Sequence, residues 1–366
     1  MLKSRFINIV AIVLIGINVF AINNKPIYGW DILPYMALIF EHDDNDINSI
    51  HDKVYSTVKT EQEAGRVRSG AYGELVTERI PYRAQCFADA EKFQGELTYY
   101  RTKPLYHFSS YILYKVGISP INSTIIPSMI SAFFILLILF FWLARYSNQV
   151  FSLVITLIAA QLPAFLEIQN NSAPDAMSHL FLFLSLYLYD TRIAKWMILM
   201  CLGLAILTRV DNVIFSCVLT YFIYQPSLKS TLKVIVGSVA ICIVAFMIIP
   251  YLLGNNILWF RDFKFLESHV QYYFHVRNVF RELQIHGTYL VWTILGIVML
   301  FHKNTDIRRL ATISGITVLI HLILFPSLQE RFFVSYEFLI IVMLLMGTAQ
   351  HKNKKASLQE NTVTLE

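Results

Sequence analysis

The sequence predicts an all-α, polytopic membrane protein with about ten transmembrane helices and a long first extracytoplasmic loop that carries interfacial helices. Three observations lead there. Hydrophobic residues fill 56% of the 366 positions, charged residues fall to 15%, and mean hydropathy is +0.53, more apolar material than a soluble core of this length needs. The apolar residues come in blocks near bilayer length, such as Ile125 to Ala144 and Leu232 to Leu253, whose backbone polar groups are satisfied in lipid only as helices. Basic residues, finally, gather beside alternate blocks, as membrane topology demands.

The blocks place spans near 6–22, 125–144, 149–166, 173–189, 194–208, 212–224, 232–253, 287–301, 308–325 and 331–347. The first follows Lys3 and Arg5 and has no small-x-small cleavage site after Phe20, so it reads as a retained signal-anchor. With the N-terminus cytoplasmic, the inner connections hold Arg145, Arg192 and Lys195, Lys229 and Lys233, Lys303 with Arg308 and Arg309, and Lys352, Lys354 and Lys355. The short outer connections hold only Arg209 and Arg331. That alternation requires 194–224 to be a hairpin, because one long helix there would invert every later loop. Residues 1–350 read as a single domain of the cell membrane with both termini cytoplasmic, and the polar tail 351–366 is expected to be disordered.

The extracytoplasmic face then receives the segment 24–124, the turns 167–172, 209–211 and 326–331, and the loop 254–286. Within the first of these, Ile32 to Phe40 and Leu105 to Val116 are apolar but too short to span, and are expected to lie at the membrane interface. The net charge of +5 is dispersed in short clusters without an aromatic-interleaved basic stripe, which excludes nucleic acid as the natural partner. Cys201, Cys217 and Cys242 lie in apolar blocks and Cys86 stands alone in the long loop, so no disulfide framework or thiolate metal site follows.

Residues that carry chemistry concentrate on the outer face. Asp31, in Trp30-Asp31-Ile32-Leu33-Pro34-Tyr35, is either a carboxylate at the membrane surface able to take a proton from a hydroxyl, or the N-cap of the helix that follows. Glu41, Asp43, Asp44 and Asp46 form an acidic cluster. The Asp44 and Asp46 spacing could hold a divalent cation through oxygen ligands, but a solvated loop is the expected reading, because nearness in sequence does not make ligands converge in space. Arg101 and Lys103, in Arg101-Thr102-Lys103-Pro104-Leu105-Tyr106, bring two cations to the place where the loop returns to the membrane, fit for a phosphate or for lipid headgroups. Arg209 and Asp211 occupy the tight turn of the short hairpin, where ionisable groups are functional candidates unless they merely pair or cap. Asp175 opens the fourth span, where the helix dipole favours a carboxylate whatever its role, and Glu330-Arg331 opens the last. His269, His275 and His286 lack metal-ligand spacing and read as interfacial polar residues.

Taken in order, these features resemble the GT-C superfamily of polyprenyl-phosphate-sugar-dependent glycosyltransferases, which includes protein mannosyltransferases and the aminoarabinose transferase of lipid A. The resemblance runs from the first span to the last. It rests on the acid Asp31 opening the first outer loop, the loop exit Lys103-Pro104-Leu105-Tyr106, the turn Leu207-Thr208-Arg209-Val210-Asp211, and Glu330-Arg331-Phe332-Phe333-Val334. It implies Asp31 as general base on the acceptor, and Arg101, Lys103, Arg209 and Arg331 as ligands of the donor phosphate. Tyr35, Tyr106, Asp175, Asp211 and Glu330 would then be substrate-binding residues or secondary acids. The implied partners are a polyprenyl-phosphate-linked sugar, a glycan, lipid or protein acceptor, and the membrane lipids, with the polyprenyl tail in a groove between spans. Where members commonly carry a second acid after the first, Asp31 is followed by Ile32. Replacing Arg209 or Arg331 is expected to weaken donor use with little loss of folded protein. Two other classes remain open: a glycan polymerase or ligase, which usually keeps its large loop late in the chain, and a transporter or flippase, which would show repeated halves or mid-membrane charges.

Overall fold

The computed structural model describes residues 2–22, 26–76, 81–224, 288–324 and 329–363, with the single positions 237, 240 and 244. The described residues are helical and contain no strand, with one isolated parallel bridge between Ile27 and Asn171. Helix α1 (Leu2–Ile17) runs on into a π turn (Asn18–Ile22), and α8 (Pro120–Ala144) follows the long loop. These two are the helices long and apolar enough to cross a membrane among the described residues.

A third joins them only if α9 (Gln149–Ala159) and α10 (Pro163–Asn170) count as one span, and they meet at an angle of 73°. The sequence reads 149–166 as one straight block, but Pro163 cannot donate to the helix ladder and its ring collides with the preceding turn. Within the described residues the remaining expected spans coincide with α11 (Asp175–Asp190), α12 (Lys195–Thr208), α13 (Val213–Tyr224), α14 (Thr288–Leu300), α15 (Thr305–Leu324) and α16 (Val334–Val363), of which Lys195–Thr208, Val210–Tyr224, Leu290–Leu300 and Val334–Ala349 are apolar stretches shorter than a full span. Fourteen residues of α12 rise about 21 Å, short of a hydrocarbon core of about 30 Å. Helix α16 continues through 351–363, the segment expected to be a disordered tail. Apart from the single positions 237, 240 and 244, the expected span 232–253 and the loop 254–286 with its three histidines lie outside the described residues.

The 194–224 stretch is a hairpin, as the charge pattern requires. Lys195 Nζ stands 5.0 Å from the centre of the Tyr224 ring, whereas one continuous helix would hold the two residues roughly 40 Å apart. Other helix ends pair just as specifically. Asp190 at the end of α11 accepts from Trp142 Nε1 (2.9 Å), Tyr146 Oη (2.8 Å) and Arg145 Nη1 (3.2 Å) at the end of α8. At the opposite ends of the same helices, Thr124 meets Ser172 at 2.7 Å and Ser128 donates to the Ala173 carbonyl at 2.9 Å.

The long loop folds into its own helical layer around α2 (Ile32–Glu41). All nine residues from Ile32 to Phe40 are buried, against α3 (Ile47–Glu63), α6 (Ala90–Arg101), α7 (Pro104–Lys115) and α8. A helix apolar on every side belongs in a core, so α2 is the centre of this layer and does not lie on a membrane surface. Helix α7 differs, since Phe108, Ile112 and Val116 remain exposed on it, the apolar face an interfacial helix presents. Two short helices, α4 (Ser69–Val76) and α5 (Pro81–Ala88), complete the layer.

The acidic cluster after α2 is a capping loop. Asp46 accepts from the backbone of Asn48 (3.1 Å) and Ser49 (3.3 Å) at the start of α3, while Asp44 accepts from Asp46 N (3.0 Å) and Ser49 Oγ (2.7 Å). Asp43 pairs with Lys115 at 2.7 Å, and Glu41 with Arg101. Among the described residues no three His, Cys, Asp or Glu side chains are grouped to hold a metal ion. Capping explains the Asp-x-Asp spacing better than cation binding, because each carboxylate already has donors.

Candidate functional site

Asp31 directly precedes α2, yet its side chain makes no capping bond. An N-cap needs an extended backbone to turn its oxygen back on the helix, and Asp31 is already helical at φ −57° and ψ −22°. The carboxylate therefore points away from α2. Its Oδ1 accepts from Tyr100 Oη at 2.7 Å, and its Oδ2 lies 4.0 Å from Arg331 Nη1.

Arg209 ends α12 in an extended conformation (φ −149°, ψ 121°), followed by a 3-10 turn over Val210–Asn212. That break throws its guanidinium sideways between two carboxylates. Asp211 takes it bidentately, Nε to Oδ1 at 3.1 Å and Nη2 to Oδ2 at 2.9 Å, while Nη1 donates to Asp175 Oδ1 in the first turn of α11. Neither Asp211 nor Asn212 caps α13. The Asn212 amide instead donates to the Ala205 carbonyl (2.7 Å) and to Ser178 Oγ (2.8 Å).

Arg331 approaches from the 3-10 turn Glu330–Phe332 that precedes α16. Its Nε donates to Gln329 Oε1 at 2.9 Å, but the carboxylates around it are farther: Asp175 and Glu167 at 3.8 Å and Asp31 at 4.0 Å. The Phe332 ring lies under both guanidinium groups, 4.7 Å from Arg209 and 5.1 Å from Arg331. His179, one turn after Asp175, fixes this segment from below. Its Nε2 is 2.7 Å from the Arg331 carbonyl, which can only accept, so Nε2 carries the proton and Nδ1 accepts from Ser335 Oγ at 2.8 Å.

Lys103 enters from the joint between α6 and α7. Its ammonium rests over the rings of Tyr100 (4.6 Å) and Tyr35 (5.8 Å), and among the described residues no carboxylate lies within 4 Å of it. Burial pushes the Lys103 ammonium below its ordinary value, against the pull of the Asp31 charge. Tyr35 is fully buried and its hydroxyl has no hydrogen-bond partner among the described residues, and burial with the Asp31 charge drives that phenol well above its ordinary range.

One expected site residue lies elsewhere. Arg101 is committed to Glu41 at the far end of α2, about 15 Å along the helix from Asp31. Tyr106 borders the site through its ring, 4.8 Å from that of Tyr35, but commits its hydroxyl to the bundle, donating to the Thr124 carbonyl and meeting Ser128 Oγ at 3.1 Å. Glu330 opens the turn that carries Arg331. The structure thus brings together Asp31, Tyr35, Lys103, Asp175, Arg209, Asp211 and Arg331, and adds Tyr100, Glu167, His179 and Phe332, which the sequence reading did not single out. Of these, His179 carried a signal: it is an ionisable residue within an expected span.

The two arginines have different duties. Arg209 has both neighbouring acids in direct contact and is more than neutralised, whereas the Nη groups of Arg331 and the Lys103 ammonium keep donors free for an anion. Beneath Arg209 a cavity of about 20 Å³, lined by Ser178, His179, Asn212, Thr317, His321 and Tyr336 among others, has room for about one water. Comparison with family models, curated proteins and solved structures gave no match to this chain.

This division predicts different consequences for the two arginines, in place of the equal mild ones expected from the sequence. Arg209→Ala leaves Asp175 and Asp211 buried without a cation and is expected to cost about 3–5 kcal/mol of stability. Arg331→Ala is expected to cost under about 1 kcal/mol, since its ion contacts are loose. Thermal unfolding of the two purified variants checks this, and equal losses would refute it.

Proposed function

We propose that this chain is a membrane glycosyltransferase of GT-C type that moves a sugar from a polyprenyl-phosphate donor to an acceptor hydroxyl on the extracytoplasmic face. The observation that carries the reading is the meeting of Asp31, Lys103 and Arg331, from three segments far apart in sequence, at one half-buried place in the helix assembly. A carboxylate beside two incompletely paired cations has the parts such a transfer needs: a base for the nucleophile and charge for the departing phosphate.

In this reaction the Asp31 carboxylate takes the proton of the attacking hydroxyl as the new glycosidic bond forms at the anomeric carbon. The bond from that carbon to the phosphate oxygen breaks with its electrons staying on the phosphate, where Lys103 and Arg331 meet the added charge. Arg209 holds Asp175 and Asp211 in place, and Asp175 in turn keeps Arg331 near Asp31. Tyr100 orients the base through its 2.7 Å hydrogen bond.

The proposal includes a polytopic topology of about ten spans with both termini cytoplasmic. Single cysteines at Ser69 and Lys303, both exposed positions, test it by labelling in sealed cells. The first is expected to react from outside and the second only after permeabilisation. Reaction of both from outside would contradict the topology.

Asp31 tests the chemistry. Because its side chain caps nothing, Asp31→Asn is expected to leave thermal stability nearly unchanged while lowering turnover on the order of 10²–10⁴-fold. Asp31→Glu should keep part of the activity, since a carboxylate survives at a displaced position. Turnover of labelled polyprenyl-phosphate sugar, measured beside stability on the same samples, decides it; a fully active Asn variant removes Asp31 from the site.

A further inference from the structure

Arg192 is the one residue other than glycine with a positive φ among the described residues, at 56°. It closes α11 in a two-bond cap: Arg192 N donates to the Tyr189 carbonyl at 3.2 Å and Ile193 N to the Leu188 carbonyl at 3.1 Å. That cap favours glycine or asparagine at the position Arg192 holds, because a Cβ in the left-handed region crowds the backbone. Lys195 then opens α12, where the helix dipole disfavours a cation. Two cations of one short turn thus stand where local conformation and local electrostatics oppose them. The positive-inside rule accounts for cations in this connection but not for these positions. A basic residue at the exposed Ala194, whose φ is −49°, would satisfy it without the left-handed conformation.

A third cation joins them. Asp190, two residues before Arg192, accepts from Arg145 Nη1 at 3.2 Å, which brings the end of α8 to the end of α11. The buried Asp190 carboxylate is already shared among Arg145, Trp142 and Tyr146. Arg192 and Lys195 have no carboxylate within 4 Å among the described residues, and Lys195 rests over the Tyr224 ring. Three cations against one carboxylate leave the patch with excess positive charge. Apolar groups lie exposed between them: Ile193 is 40% exposed and Trp196 65%. An exposed indole beside cations is what the boundary between water and hydrocarbon selects. A free anion makes no use of Ile193 and Trp196, whereas a lipid sets its phosphate on the cations and its chains along the apolar pair.

We infer that the α11–α12 turn, with Arg145 beside it, holds the headgroup of an anionic phospholipid, its phosphate against Arg192. The planar guanidinium takes two phosphate oxygens at once, while Arg145 and Lys195 supply the excess charge that favours an anionic over a zwitterionic headgroup. The site owes nothing to the glycosyltransferase reading. It lies on the side that the proposed topology makes cytoplasmic, and the binding itself does not depend on which side that is.

Three substitutions separate the charge from the backbone. Arg192→Gly and Arg192→Asn remove the charge and suit the left-handed position, so in lipid-free detergent both are expected to unfold no earlier than the wild type. Arg192→Lys keeps the charge without the planar fork. Thermal unfolding of the purified full chain is titrated with phosphatidylglycerol, with phosphatidylcholine of the same acyl chains, and with inorganic phosphate. Phosphatidylglycerol is expected to stabilise the wild type more than phosphatidylcholine does, and inorganic phosphate not at all. Arg192→Gly and Arg192→Asn should bind phosphatidylglycerol roughly fivefold more weakly, the worth of one basic residue near an anionic surface, with Arg192→Lys between them and the wild type. Equal shifts from the two lipids overturn the inference, and so does undiminished affinity in both uncharged variants. A phosphate shift as large as that of phosphatidylglycerol overturns it too, by assigning the cations to a free anion. Labelling at position 303 decides the side independently: reaction from outside, with the lipid preference intact, upholds the site and sinks the topology alone.

Discussion

Arg209 stands between Asp175 and Asp211, and the end of the helix assembly that carries the site is arranged around that contact. Burying three charges is unfavourable unless they meet in good geometry, and the planar fork of arginine satisfies two carboxylates at once where lysine would satisfy one. The contact ties the α12–α13 turn to the first turn of α11. From there it reaches further: the second oxygen of Asp175 faces Arg331, and His179 on the same helix fixes the Arg331 backbone. One ion triad therefore sets where the more open cation stands relative to Asp31.

The loop layer solves the complementary problem of holding the base. Helix α2 is buried from Ile32 to Phe40, so Asp31 at its start inherits the position of a core helix, although Tyr100 lies 69 residues away and Arg331 farther still along the chain. Tyr100 and Lys103 come from the α6–α7 joint that packs on the same helix, and the edge-to-face rings of Tyr35, Tyr100 and Tyr106 fill the space between. The result is a site whose acid and cations come from rigid elements, which favours precise geometry over adaptability.

Part of this was legible in the sequence through the charge pattern that the expected topology requires. The positive-inside pattern put Asp31, Lys103, Arg209 and Arg331 on one face and required the 194–224 hairpin that the Lys195 and Tyr224 contact displays. Sidedness does not fix distance, however. Arg101 and Lys103 are two residues apart, yet one turns to Glu41 and the other to Tyr100, because the helix ends between them. Hydropathy likewise could not tell a core helix from an interfacial one at 32–40, since both are short and apolar. His179 and Tyr100 were passed over because their partners lie 156 and 69 residues away, beyond any local pattern.

The most direct test of the account is the coupling within the ion triad, read from thermal unfolding of purified protein in one detergent. Arg209→Gln alone leaves two buried acids unpaired; combined with Asp175→Asn and Asp211→Asn it leaves only neutral groups of similar shape. The account predicts that the triple variant recovers most of the stability lost by Arg209→Gln, with a coupling of about 2 kcal/mol or more. Losses that simply add across the three substitutions would show that Arg209 does not hold the site together.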